Sequence, residues 1–393
     1  VKVVLWESCF DYCDSFSNVS RSLILELLHY EDLDIHIKKI YEQNYPTTVQ
    51  IPAFERTILD KLSSRHYPEF VDIHIKMAHP SEVHTASDIG YTVWEYTKIH
   101  PEWARWMNLN ERARYWVPSH FTKNTFIQCG VWGDKIDVVP HGINNKIWNP
   151  TMQKNECLPK ELDGKFLFYS LGTLDSRKNF NTLVDCFKES FEGNKNVALV
   201  IFTNDNSRKP IEKLMKETFP DLDLGKFNKE RQYFILCENP AIIVQVLAAS
   251  TSSEYLAGLI QCCNVFVTAT HGEGFGIPLL EAMALGKPVI APYFSGYLDF
   301  IRDGYNGMLV DMDSKLVFNN PKTQFGYWAE VRKNDLCQTM QKIYTEREHD
   351  WVKKIVDNAF KTALCYSWEK IGKIVYDQIL KASRIKIYGD AKI

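Results

Sequence analysis

Short apolar runs alternate with helix-period segments along nearly all of this chain, and no other feature narrows its fold as much. A strand, a helix and a second strand in succession close as a parallel βαβ unit, so the pattern points to an α/β protein with parallel sheets. In the first half the strands are expected at 1–6, 35–41, 71–77, 90–94, 115–118 and 136–139, with helices at 19–29 and 121–129. Residues 142–164 lose periodicity, are rich in Asn, Pro, Lys and Glu, and read as a linker. A second series follows, with strands at 166–171, 197–203, 233–237, 265–268, 288–291 and 307–310. Its helices are expected at 179–190, 211–217, 254–262, 279–285 and 297–302, and 335–386 reads as helical throughout. A chain of 393 residues exceeds one ordinary core. The expectation is two Rossmann-like domains, 1–150 and 165–368, facing a central cleft. Ligands of such sheets bind beyond the carboxyl ends of the strands.

Composition closes off several classes of function. With 45% hydrophobic and 24% charged residues the chain is of globular type. A net charge of -3 provides no basic field for nucleic acid, so none is expected as a partner. The longest apolar stretch, 241–249, is interrupted by Gln245 and is far too short to span a bilayer. No secretory signal is legible, because Val1-Lys2-Val3-Val4-Leu5-Trp6 reads as a strand. The ten cysteines sit mostly in apolar contexts, the habit of reduced thiols in a cytoplasmic protein. Cys9 and Cys13 form a C-x3-C without a second pair at zinc-ligand spacing, so no metal is expected there. Asn18-Val19-Ser20 matches a glycosylation sequon, a three-residue match with little weight. Peripheral membrane contact and the oligomeric state stay open.

The segment richest in chemistry begins at Val265-Phe266-Val267-Thr268 and runs through Thr270-His271-Gly272-Glu273-Gly274-Phe275-Gly276-Ile277-Pro278-Leu279-Leu280-Glu281. A strand passes through a glycine-rich loop into a helix with Pro278 near its first turn. Glycines allow close approach of the backbone, and a helix N-terminus offers unpaired N–H groups and partial positive charge. That combination suits a phosphate, or a sugar carrying one. Two acids punctuate it, Glu273 in the loop and Glu281 in the helix. The spacing Gly272-x-Gly274-x-Gly276 is not the dinucleotide fingerprint and falls late in the chain, which disfavours a dehydrogenase. Upstream, Gly172-Thr173-Leu174-Asp175-Ser176-Arg177-Lys178-Asn179 follows the strand that opens the second series. Two adjacent cations before a helix make either a solvated turn or an anion pocket.

The E-G-F-G-I-P-L-L-E run resembles the E-x7-E signature of family 4 retaining glycosyltransferases, which have the GT-B fold. Ala282 to Ala291, and Gly296 with Asp299 to Gly307, are similar to that family as well. The resemblance implies that Glu273 lies beside the donor sugar and that Glu281 binds the nucleotide ribose. It also implies that Gly274, Phe275, Gly276, Ile277 and Leu280 contact sugar hydroxyls and phosphate. The 172–179 segment resembles the family's loop whose Arg and Lys hold the donor diphosphate. Other members place an Arg directly after the glycine, where this chain has Thr173; the role therefore falls to Arg177 and Lys178. Residues 115–123 and 138–150 are similar to family turns of mostly structural use. Tyr366-Ser367-Trp368 is similar to the start of a last helix, about 370–393, which in GT-B enzymes crosses back to the first domain.

Two places depart from the family. Its glycine pair in the first strand-to-helix loop is replaced by Asp14-Ser15-Phe16-Ser17-Asn18, and a His at a middle strand's tip is replaced by Glu95. Ser15, Phe16, Ser17, Glu95 and His120 are the candidates for the acceptor or sugar side. Asp-x-Asp occurs at Asp32-Asp34, Asp221-Asp223 and Asp311-Asp313, scattered hits in a chain with 49 acids. The family needs no bound metal and no cofactor beyond the sugar nucleotide.

The expected activity is transfer of a hexose to a carbohydrate or glycan acceptor with retention. The loop's likeness to mannosyltransferases of surface polysaccharide synthesis favours GDP-mannose as donor. The alternatives are a UDP-sugar-dependent transferase, a non-catalytic sugar-nucleotide binding protein, an epimerase, and a glycoside hydrolase using Glu273 and Glu281. The hydrolase fits poorly, since a retaining pair sits about 5 Å apart and eight fully helical residues span about 12 Å.

Overall fold

The computed structural model describes residues 1–11, 15–40, 51–66, 68–155, 157–204, 211–220, 227, 228, 230, 232–248, 251–316 and 326–390. The chain divides into two compact units. The first comprises Val1–Gly142, Val317–Tyr327 and Tyr366–Ile393, the second Ile143–Leu316 and Trp328–Cys365.

In the first unit the elements are Lys2–Ser8 (β1), Ser15–Leu27 (α1), Leu33–Lys39 (β2), Ala53–Ser63 (α2), Ile73–Met77 (β3), Ile89–Tyr91 (β4), Pro101–Leu109 (α3), Arg114–Val117 (β5), His120–Gln128 (α4) and Ile136–Val138 (β6). Period-two burial explains β1: Val4, Trp6 and Ser8 are buried while Val3, Leu5 and Glu7 are only half-buried. The six strands form a wholly parallel sheet in the order β2-β1-β3-β4-β5-β6. Helix α1 starts at Ser15, four residues ahead of expectation, and buries Val19, Leu23, Ile24 and Leu27. Ser15 to Asn18 are thus its first turn and not a loop, while Tyr12 to Asp14 and Tyr41 lie outside the described residues. Helices α2 and α3 were not expected; each carries only a thin apolar stripe, Leu59 and Leu62 in α2, and Trp103, Ala104 and Met107 in α3.

The second unit continues with Phe166–Leu171 (β7), Phe180–Ser190 (α5), Val197–Asn204 (β8), Ile211–Thr218 (α6), Phe227–Asn228 (β9), Tyr233–Glu238 (β10), Ala241–Leu247 (β11), Ser253–Gln261 (α7), Val265–Val267 (β12), Ile277–Ala284 (α8), Val289–Pro292 (β13), Met308–Val310 (β14), Met312–Leu316 (β15), then Tyr327–Val331 (β16) at the unit boundary, Lys333–Thr345 (α9) and Asp350–Ala363 (α10). Its main sheet runs β14-β13-β12-β7-β8-β11-β10-β9, and β15 pairs with β16. The pairing is parallel from β14 to β11, but β10 is antiparallel to both β11 and β9, so the sheet is mixed at that edge. The unpredicted strand β11 is the long apolar run itself. A strand buried on both faces loses its alternation, which leaves periodicity silent.

Three further expectations are corrected. Residues 297–302 contain a short 3₁₀ turn, Gly296–Asp299, and no α-helix. The C-terminal stretch is broken between α9 and α10 and again by the 3₁₀ turn Leu364–Tyr366 before Trp368–Asp390 (α11). Residues expected as a linker pack on the second unit: Gly258 O accepts from Asn155 N (2.9 Å), and Gln261 Nε2 donates to Pro150 O (2.8 Å). Helix α11 lies on α1 in the first unit. There Tyr376 stacks on Tyr30 at 3.9 Å and its hydroxyl donates to Asp32 Oδ2 at 2.7 Å.

Candidate active site

Topology brings the two motifs together. Strand β7 is followed by α5 and β8 on one side, while its other neighbour is β12, entered much later in the chain. The loops after β7 and β12 therefore leave the carboxyl edge of adjacent strands in opposite directions, the switch point at which α/β sheets bind ligands.

The loop after β12 reaches α8 through Gly276, whose φ of +95° is in the left-handed region and strains any other residue. Pro278 then sits in the first turn of α8. The loop after β7 holds a 3₁₀ turn, Ser176–Lys178, capped by Asp175, whose Oδ1 accepts from Lys178 N at 3.1 Å. Gly172 makes room for the stem of Lys178: a Cβ there would lie 2.7 Å from Lys178 Cε.

These loops converge on Glu273. Lys178 Nζ donates to its Oε1 at 2.6 Å, and Arg177 Nη1 lies 3.2 Å from its Oε2. Thr270 Oγ1 donates to Oε1 at 3.3 Å, and Arg177 Nη1 also reaches Gly272 O at 2.8 Å. The backbone of Glu273 is held by Ser295 and Gly296, with its N–H on Ser295 Oγ (3.0 Å) and its carbonyl on Gly296 N (2.9 Å). Burial alone would raise its carboxyl pKa, but charge and hydrogen bonds from Lys178 and Arg177 hold it below the ordinary range. The trio is largely withdrawn from water, its side chains 10%, 13% and 19% exposed for Lys178, Glu273 and Arg177. It carries one net positive charge beside the N-terminus of α8.

Glu281, in the second turn of α8, has the opposite character. It is half-buried, and among the described residues no charged group pairs with it. Burial pushes its carboxyl up to about 8, so near neutral pH it is mostly protonated and able both to donate and to accept. Tyr169 of β7 lies close enough to feel its charge.

The other residues expected on the donor side lie around the loop before α8 and in the turn after β7. Phe275 is buried against Phe300 (5.1 Å between centroids), and the Leu280 side chain is in the core with its N–H 3.3 Å from Gly276 O. Ile277 opens α8, and Gly274 lies in the loop before it. Thr173 is exposed and spends its hydroxyl on Asp175 Oδ2 at 2.6 Å.

The other candidate set belongs to the first unit, where all members follow the carboxyl ends of parallel strands. Ser15, Phe16 and Ser17 open α1 after β1, Glu95 follows β4, and His120 opens α4 after β5. Ser17 is fully buried, Phe16 and Glu95 are half-buried, and His120 is exposed. The Asp-x-Asp pairs within the described residues are engaged with side chains. Asp32 binds Tyr376, Asp34 binds His36 and Arg65, and Asp311 and Asp313 flank Arg332. Asp221 and Asp223 lie outside the described residues. The reading of motifs placed Thr270 at the start of the glycine-rich loop without giving it a role, and it missed Ser295 and Tyr169, for which no local signal exists.

A doubly wound second unit with this charge trio at its switch point, and a parallel Rossmann-like first unit, define a GT-B architecture. Residues 158–318 match the family described as "Glycosyl transferases group 1". The chain is 30% identical over 146 residues to an uncharacterized glycosyltransferase of Methanocaldococcus jannaschii, across 37% of this chain and 35% of that protein. It is 28% identical over 183 residues to the capsular polysaccharide biosynthesis glycosyltransferase CapM of Staphylococcus aureus, across 45% of this chain and 42% of the relative. The chain thus spans well under half the length of these curated relatives. HepE of Anabaena, solved in complex with UDP and glucose, superposes with a TM-score of 0.63 at 12% identity, covering 97% of this chain and 100% of that one.

No helix among the described residues is long and apolar enough to cross a membrane.

Proposed function

We propose that this protein transfers a hexose from a nucleotide diphosphate sugar to a carbohydrate or glycan acceptor, with retention and without a metal or other cofactor, in the cytoplasm. The observation that carries the reading is the Lys178–Glu273–Arg177 trio at the switch point. Leaving-group departure loads negative charge on the diphosphate and positive character on the sugar. Arg177, Lys178 and the N-terminus of α8 are preorganised for the first, and an ionised Glu273 for the second. Glu273 neutralises part of the cationic charge, so diphosphate binding would compete for the same two side chains. The protonated Glu281 suits a ribose diol, to which it can donate as well as accept. Ser15, Phe16, Ser17, Glu95 and His120 are proposed for the acceptor or sugar side.

GDP-mannose is the proposed donor, on the likeness of the 172–179 loop to mannosyltransferases. UDP-hexoses form the second arm, because HepE was solved with UDP and glucose. Arg177→Ala should weaken GDP or UDP roughly tenfold or more while leaving the bare nucleoside nearly unchanged, since a charge-assisted contact is worth about 1.5–3 kcal/mol. Calorimetry that finds equal losses for nucleoside and diphosphate overturns the assignment.

A further inference from the structure

We propose that Trp328 and His271 form a clamp that positions the Glu273 carboxylate, a role that rests on the donor-site reading above. From Thr270 to Gly274 the loop is small or polar apart from His271, so it has little apolar surface with which to anchor itself. His271 is buried and held four ways. Its N–H donates to Arg177 O at 2.8 Å, and its carbonyl accepts from Ala329 N at 3.0 Å. Its Nδ1 meets Ala329 O at 2.6 Å, and its ring lies face to face on Trp328, with centroids 4.7 Å apart and planes 11° apart. A carbonyl can only accept, so the contact with Ala329 O assigns the ring proton to Nδ1. Trp328 and Ala329 are 4% and 0% exposed and belong to β16, beyond the region that matches the family.

Both ends of the Arg177–Glu273 pair hang on this one residue. The Arg177 backbone carbonyl takes the His271 N–H, and Gly272 O, one residue on from His271, takes the Arg177 guanidinium. Glu273 follows directly. Releasing the His271 ring therefore shifts the carboxylate and its cation together, while α8 and Glu281 keep their own packing. A misplacement of about 1 Å at a reacting centre costs on the order of 100-fold in rate, so the clamp should act on turnover more than on binding.

The test compares Trp328→Leu, which removes the aromatic face, with Trp328→Phe, which keeps one. Steady-state rates are measured with GDP-mannose and with UDP-glucose, and GDP and UDP affinities by calorimetry. Hydrogen exchange is followed in peptides covering 268–277 and, as control, 333–345. For Trp328→Leu, kcat should fall at least about tenfold, with KM and nucleotide Kd, which Lys178 and the α8 N-terminus still support, weakened by less than the tenfold expected for Arg177→Ala. Exchange in 268–277 should quicken by a similar factor with 333–345 unchanged. Trp328→Phe should restore both. Unchanged kcat and exchange in Trp328→Leu overturn the clamp, and so does faster exchange throughout, which marks a merely structural core residue. If the wild type binds and turns over neither donor, the donor-site reading fails on that result and the proposal with it.

Discussion

Replacing Lys178 by Met leaves Glu273 as a withdrawn carboxylate with Arg177 as its single cation. The lost contact is 2.6 Å long. At an effective dielectric near 20, that distance corresponds to about 6 kcal/mol of gross attraction, of which the relieved desolvation of the lysine returns a large part. Removing one partner of a buried pair typically costs 3–5 kcal/mol. Arg177 remains 3.2 Å from the other carboxylate oxygen, which places the expected loss near the lower end, about 3 kcal/mol at pH 7. For a unit of this size that corresponds to a fall in melting temperature of about 6–12 °C. The sign with pH follows from linkage. The Glu273 pKa is lowered in the folded wild type, so its stabilisation is present above the unfolded value and lost as pH falls through the folded one. In the variant that pKa rises, so the deficit should shrink as the pH is lowered from 7 towards 4. Urea unfolding at several pH values measures it. The companion Lys178→Met/Glu273→Gln leaves Arg177 without its carboxylate and should therefore recover little of the loss. A deficit under about 0.5 kcal/mol at pH 7, or one independent of pH, refutes the buried-trio argument.

Glu281→Gln should act oppositely on stability and on binding. The unfolded carboxyl ionises near 4.5 while the folded one keeps its proton to about 8, so wild-type stability falls as pH rises between those values. The Gln variant should be more stable than wild type by a few kcal/mol at pH 8 and indistinguishable below pH 4.5, while binding sugar nucleotides more weakly. Melting curves at pH 4.5 and 8 would expose a mistaken burial argument if the two differences were equal. Gly372→Ala in α11 should destabilise despite the usual gain of about 1 kcal/mol for replacing a helical glycine. A Cβ there would lie 2.7 Å from Glu26 Cβ of α1, and both are anchored on helices. A higher melting temperature for this variant would show that α11 shifts freely on α1.

Much of this molecule was legible before its structure. Strands β1 to β6 announce themselves by short apolar runs, and the glycine loop into α8 does so by composition and by Pro278. The limits of that reading are physical. Strand β11 is apolar on both faces, and periodicity alone does not tell such a run from a buried helix. Helices α2 and α3 have stripes too thin to stand out. The turn at Ser15 became helix because α1 buries a longer face than its first apolar residue implied.

For the candidate site, the residues proposed to hold a diphosphate and a sugar are legible in the chain alone. A glycine-rich strand-to-helix turn with Glu273 and Glu281, and a cationic turn with Arg177 and Lys178, are local chemistry that needs no fold to recognise. Only the tertiary structure decided how those parts act. Residues 95 positions apart became one ion cluster because β7 and β12 are neighbours at a switch in strand order. Burial without a cation made Glu281 a proton carrier, whereas burial with two made Glu273 a fixed anion. The same burial of a carboxylate has opposite outcomes according to what lies within a few ångströms, and that neighbourhood is a property of the folded chain.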